Sequence, residues 1–291
     1  MTGLLPFLSA KAMLIHLPEN FSSKKVTKVL VVIHGCLQSA ESISLGSGFN
    51  EMADKKNFVI IYPQVEAESN YFDCWNWFLK ENHGSKKGQL SELSTQIQDT
   101  LNKLSLKDSS VYLIGMSSGG ASAAGLVACF PDQFKGVALI SSPTYASASN
   151  VYELEGVLKK GPMNNDTRKL PCSTTDYKGL LFVSHGEIDT VVNYKHALGN
   201  IDQILDKNYD SSITNRFENS KKYSKTDYKK DNVLRARFIL IKDLGHTWAG
   251  YGNNFRKNSF VGPSAKTPTV VPFFSKDGPN LTKKISEFFK L

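Results

Sequence analysis

A chain of 291 residues with 41% hydrophobic content can bury a large core, and none of its apolar runs approaches the length of a membrane span. Its net charge of +8 gathers in local runs, above all between Lys221 and Arg237; Tyr223 and Tyr228 lie among those cations without any nucleic-acid motif, so a solvated surface hairpin is expected there rather than a nucleic-acid partner. The cysteines, Cys36, Cys74, Cys129 and Cys172, are spaced neither as a zinc site nor as a redox pair, and neither metal nor cofactor is called for.

The N-terminal stretch has a brief apolar patch, Leu4-Leu5-Pro6-Phe7-Leu8, without the basic residues that open a secretory leader. The expectation is therefore either an internal protein or a chain that begins after a removed leader. Ala12 to Leu17 reads as an opening strand closed by Pro18, with His16 in a structural role. Lys28 to Ile33 is a continuous apolar run, as in a strand buried on both faces of a parallel sheet. It runs into His34-Gly35-Cys36-Leu37-Gln38-Ser39. Gly46 to Ala53 reads as a loop entering a helix, and Phe58 to Pro63 as the next buried strand. The following loop carries Cys74-Trp75-Asn76-Trp77-Phe78. A small satellite core would account for two tryptophans there, but beside a catalytic site a substrate-facing aromatic wall is the preferred reading.

Apolar residues at helical spacing, Leu90, Leu93, Ile97, Leu101 and Leu104, mark a helix across 89–104. After it come the β-prone run Val111 to Ile114, the turn Gly115-Met116-Ser117-Ser118-Gly119, and a small-residue helical stretch from Gly120 to Ala128. Strand, tight turn and helix around a central serine make the nucleophile elbow of the α/β-hydrolase fold. Cys129, at the end of that apolar helix, reads as a small buried residue. Gly136 to Ile140 is another strand. Residues 142–178 are long and mixed, with a helix near Val151 to Lys159, and read as an excursion over the site rather than a separate domain. Leu180 to Ser184 is a strand, Asn193 to Leu205 a helix, Leu234 to Ile241 the last clear strand, and Thr282 to Leu291 a terminal helix. The alternation predicts a mostly parallel, doubly wound sheet with helices on both faces, and 1–291 as a single catalytic domain.

A serine nucleophile needs a base, and the base needs an orienting acid. In this fold they follow in the order serine, acid, histidine, on loops after later strands. His246, in Gly245-His246-Thr247-Trp248 after the last strand, is the expected base. His34 precedes the elbow and belongs to the oxyanion turn, His185 is expected to bond its own loop, and His16, His83 and His196 carry no catalytic expectation. Asp189 is preferred to Glu187 as the acid because it lies further out on its loop. The oxyanion hole needs two donors, expected from the backbone N–H groups of Ser118 and Cys36.

Taken in order, His34 to Ala40, Gly48-Phe49-Asn50, Tyr62-Pro63-Gln64, Cys74 to Phe78, Gly115 to Gly120, His185-Gly186 through Asp189, Gly245 to Trp248 and Gly262-Pro263 make a narrower pattern. It resembles the poly(3-hydroxybutyrate) depolymerase family of esterases, related to feruloyl and acetylxylan esterases. The resemblance implies Ser117, Asp189 and His246 as the triad and an α/β-hydrolase fold. It implies a secreted or periplasmic enzyme, although no leader is evident, and neither the linker nor the adsorption domain of polymer-degrading members occurs.

The expected activity is hydrolysis, through an acyl-enzyme, of short hydroxyalkanoate esters such as 3-hydroxybutyrate oligomers, with His34, Trp75 and Trp77 lining the substrate. A feruloyl or acetylxylan-type carboxylesterase is the alternative; a serine peptidase or an inactive binding module is less favoured. A Cys36–Cys74 disulfide is a further expectation, since a bridge would fix the oxyanion turn against the tryptophan loop in an oxidising compartment. The partner is a small-molecule or oligomeric ester substrate rather than a nucleic acid, no membrane span is expected, and the oligomeric state is left open.

Overall fold

The fold is taken from a computed structural model that describes residues 2–5, 13–66, 70, 72–162, 170–205, 208–250 and 273–291. Gly262-Pro263, Pro6 to Leu8 and Ala12 lie outside the described residues. The strands are β1 (Thr2–Leu5), β2 (Met13–His16), β3 (Lys28–Ile33), β4 (Val59–Pro63), β5 (Ser110–Met116), β6 (Gly136–Ile140), β7 (Leu180–Gly186), β8 (Asp210–Glu218), β9 (Lys221–Lys230) and β10 (Val233–Ile241). All join one sheet in the order β1-β2-β4-β3-β5-β6-β7-β10-β9-β8. The block from β4 to β10 is parallel throughout, while β2 on one side and β9 and β8 on the other pair antiparallel. This is the α/β-hydrolase arrangement.

Alternation along the buried strands feeds two core layers. Val29, Val31 and Ile33 meet α3 (Gln89–Lys103), α4 (Ser118–Cys129) and α6 (Lys195–Ile204) on one face of the sheet. Leu30 and Val32 belong to the other layer, covered by α1 (Ala40–Gly46), α2 (Phe49–Lys56) and α7 (Leu281–Phe289). The α3 helix buries the apolar stripe its spacing predicts, Leu90, Leu93, Ile97 and Leu101. Ser39 caps α1, accepting from the Ser42 N–H at 3.1 Å while Ser42 Oγ takes the Ser39 N–H at 2.8 Å.

The wing made by β8, β9 and β10 departs from the expectations. Lys221 to Arg237 does form a hairpin, turning at Asp231 and Asn232 with φ of 51° and 62°, the left-handed pair that suits a two-residue connection. The β8 strand was not expected at all. Its sequence, Asp-Ser-Ser-Ile-Thr-Asn-Arg-Phe-Glu, has only Ile213 and Phe217 as apolar residues, too few for the alternation that announces a strand, and it is exposed at every position but the last.

The cysteines hold two bridges. Cys36 joins Cys74, with Cα atoms 4.2 Å apart, as expected. Cys129, expected to be a lone buried residue, instead joins Cys172, with Cα atoms 4.9 Å apart. The end of α4 and the close of the 142–178 excursion meet only in three dimensions, so a separation of 43 residues gave no sign of the bond. Within that excursion, α5 (Val151–Lys160) is capped by Asn150, which accepts from the N–H groups of Tyr152 and Glu153.

Candidate active site

Ser117 follows β5 with φ 53° and ψ −123°, a conformation that non-glycine residues avoid. The surrounding glycines are a steric consequence of that turn. A Cβ on Gly119 would strike the carbonyls of Ile33 and His34, one on Gly120 would come within 2.5 Å of Ser142 Cβ, and one on Gly115 would meet the Gly119 backbone. The strain is held by the frame: the Ser117 N–H donates to Ile140 O at 2.9 Å, and its carbonyl receives the N–H groups of Gly120 and Ala121. Ser117 keeps 8% of its surface exposed.

The turn after β3 packs directly against this elbow. A Cβ on Gly35 would lie 3.1 Å from Ser117 Cβ. Gln38 folds back to accept the Gly35 N–H at 2.8 Å, and Leu37, in the left-handed region, donates its N–H to Phe72 O at 2.8 Å. The bridge to Cys74 ties the same turn to the next loop. Ser118 opens α4, where an N–H has no intrahelical acceptor, and neither its N–H nor that of Cys36 has an acceptor among the described residues. Both lie next to residues of the elbow, Ser118 after Ser117 and Cys36 after Gly35, with the N-terminus of α4 behind Ser117.

Asp189 follows β7 and His246 follows β10, and the two loops are in contact: a Cβ on Gly186 would lie 2.7 Å from the Leu244 carbonyl carbon. His246 Nδ1 donates to Asp189 Oδ2 at 2.7 Å. Asp189 Oδ1 accepts the N–H groups of Val191 at 2.9 Å and Val192 at 2.8 Å. Burial opposes a charge on this carboxyl, but hydrogen bonds from His185 and His246 outweigh it and hold Asp189 well below the usual carboxylate range. Glu187 is exposed and lines a different cavity. The His246 ring is shielded edge-on by Phe273 at 5.7 Å, and Trp248, fully buried, anchors the loop by donating Nε1–H to Thr282 Oγ1 at 3.1 Å.

One participant was only half read from sequence. His185 bonds its own loop, as expected, donating Nε2–H to Val192 O at 2.8 Å. The same nitrogen also lies 3.2 Å from Asp189 Oδ2. The four-residue spacing of His185 and Asp189 was the signal that could have found it.

The three residues expected to line substrate are packed away. His34 has no exposed surface; its Nδ1–H donates to Gly35 O at 2.8 Å and its Nε2 accepts the Val65 N–H at 3.3 Å. Burial lowers its pKa to about 4, so it is a neutral brace for the oxyanion turn. Trp75 is 5% exposed, in the core layer with Val65 and Leu93, its ring 5.5 Å from that of His34. Trp77 is 7% exposed and packs with Phe78 against Ala121. For Trp77 the small side chains of α4 leave room that its ring fills. Trp77 and Phe78 thus form a small cluster of their own, while Trp75 belongs to the main core layer.

The fold and the strained serine turn define an α/β-hydrolase. The family model "Esterase PHB depolymerase" matches residues 12–218, well over half of the chain. Among curated proteins, poly(3-hydroxyalkanoate) depolymerase C of Paucimonas lemoignei is 27% identical over 136 residues, covering 47% of this chain and 32% of its own length. Feruloyl esterase B of Talaromyces stipitatus is 26% identical over 219 residues, covering 70% of this chain and 60% of its own length. The chain thus spans less than two thirds of either relative. The solved acetyl xylan esterase from Aspergillus awamori shares the fold, with a TM-score of 0.65 at 17% identity, over 84% of this chain and 94% of that one. The chain belongs to the esterase PHB depolymerase family.

Proposed function

We propose that the protein is a serine carboxylic ester hydrolase that works through an acyl-enzyme. The observation that carries this is the 2.7 Å bond from His246 Nδ1 to Asp189 Oδ2, at the same carboxyl edge of the parallel sheet as the strained Ser117 elbow. With Nδ1 committed as donor, the His246 tautomer leaves Nε2 as the free base. Nε2 takes the proton as Ser117 Oγ attacks the ester carbonyl, and the buried, charged Asp189 stabilises the imidazolium formed. The developing oxyanion is received by the N–H groups of Cys36 and Ser118. Collapse expels the alcohol with the proton from His246, and water then repeats the sequence to release the acid.

For substrate we infer short hydroxyalkanoate esters, with linear 3-hydroxybutyrate oligomers preferred, a reading supported by the family match. A feruloyl-type carboxylesterase is the second reading, supported by the match over 70% of the chain to feruloyl esterase B. Two disulfides are consistent with export to an oxidising compartment. The test is fluorophosphonate labelling of wild type and Ser117→Ala, followed by kcat/KM on 3-hydroxybutyrate dimers and trimers, p-nitrophenyl acetate and methyl ferulate. Labelling that survives Ser117→Ala would refute the serine mechanism. A preference for ferulate of about tenfold, ~1.4 kcal/mol in transition-state binding, would move the substrate to the second reading.

A further inference from the structure

A cavity of about 620 Å³, within the size range of ligand pockets, opens on the β8-β9-β10 wing beside the site. Arg216, Phe217, Lys222, Leu240, Lys242 and Glu187 are among the residues lining it. Strand register explains how they come together. Phe217 pairs with Lys222, and beyond the Ile241–Tyr223 pair the Lys242 N–H donates to the Lys222 carbonyl at 2.9 Å. The row therefore runs Phe217, Lys222, Lys242 across three strands on one face. Leu240, two residues back, shares that face. The Glu187 N–H donates to Ile241 O at 2.9 Å, which ties the loop of Asp189 to the same rim.

Two lysines directly opposite on adjacent strands repel each other. Neither Lys222 nor Lys242 has an ion-pair partner among the described residues, Glu187 included. Elsewhere on the wing Lys225 and Arg237 both pair with Asp227, and Lys284 of α7 reaches Glu218. Two lysines without a carboxylate partner thus lie side by side at the cavity, next to a phenylalanine that is 69% exposed. An anionic group joined to a mainly apolar chain satisfies both features, and the wall that carries it is continuous with the loops of Asp189 and His246.

We propose that this cavity is a subsite for the free carboxylate end of a linear hydroxy-acid oligoester, held by Lys222 and Lys242 with its apolar chain against Phe217 and Leu240. The proposal rests on the ester-hydrolase reading for its substrate, and it makes the enzyme selective for soluble oligomers that end in a carboxylate.

The test compares kcat/KM on the 3-hydroxybutyrate trimer as free acid and as methyl ester, in wild type and in the Lys222→Ala/Lys242→Ala double variant. Wild type should favour the free acid by roughly five- to tenfold, as two partly exposed charge contacts allow, and the ratio should fall towards one in the double variant and at about 0.5 M salt. A ratio that is the same in both proteins overturns the subsite. Calorimetric titration of the free-acid trimer into Ser117→Ala, with and without the two lysine changes, separates the two readings. Lysine-dependent binding without any ester hydrolysis by wild type would sustain the subsite and sink the ester-hydrolase reading. Binding that does not depend on the lysines would sink the subsite alone.

Discussion

The parallel block and the antiparallel wing are built on opposite terms. In the block, β3, β4 and β6 are buried at nearly every position, and the α4 helix buries all of its residues except Cys129. In the wing, β8 is almost wholly exposed and β9 is lysine-rich. Only β10 belongs to both, pairing parallel with β7 on one side and antiparallel with β9 on the other. The candidate catalytic groups lie on the block and at this seam. A close-packed frame can hold a strained serine and aim a carboxylate, whereas a solvated wing can change its surface chemistry without disturbing that frame. The contrast separates a region that supplies geometry from one free to supply selectivity.

The sharpest test of the geometric half is Ser117→Ala. Ester turnover should fall on the order of 10⁴-fold or more with the thermal unfolding profile retained. Turnover within tenfold of wild type would mean that the seam is not the reaction centre.

Steric limits should follow. Gly119→Ala brings a methyl group against two backbone carbonyls that cannot yield, so urea unfolding should register a loss of about 3 kcal/mol or more. A loss below about 0.5 kcal/mol, the usual range for surface changes, would show that the elbow is not as tightly framed as described. Replacing both Cys129 and Cys172 by alanine frees the excursion from α4, with an expected loss of about 2–4 kcal/mol under oxidising conditions and none under full reduction.

The block should also respond to acid. Burial lowers the pKa of both His34 and His196 to about 4. A histidine that is harder to protonate when folded favours unfolding as pH falls, so stability is complete above about 6.5 and is lost between there and about 4, with a slope of up to ~1.4 kcal/mol per pH unit for each residue. Asp189, whose pKa is also lowered, adds stability that is lost only at still lower pH, below the ordinary carboxylate range. His196 Nδ1 accepts the Thr144 N–H at 3.0 Å and Nε2–H donates to Val157 O at 2.9 Å, pinning the excursion to α6. His196→Gln should therefore reduce the slope between pH 6 and 5, read by denaturant midpoints; an unchanged slope would assign the titration elsewhere.

The smallest effect belongs to the wing. Ile213→Thr and Phe217→Ser, at positions 68% and 69% exposed, should change stability by less than about 0.5 kcal/mol. A larger loss would mean that the wing is part of the frame after all.

What the sequence by itself determined was local: the apolar runs that become the parallel strands, the helical stripe of 89–104, and the glycines around Ser117, because periodicity and steric exclusion act between near neighbours. The chain order of Ser117, Asp189 and His246 also singled out which loops to compare. Only the tertiary structure decided that His185 shares Asp189 with His246, that Cys129 meets Cys172, and that Trp75, Trp77 and His34 are buried. It alone revealed β8, which buries neither face and whose place depends on pairing with β9. Those outcomes turn on which surfaces the sheet brings into contact, and no local pattern encodes the space that small α4 side chains leave for a tryptophan ring.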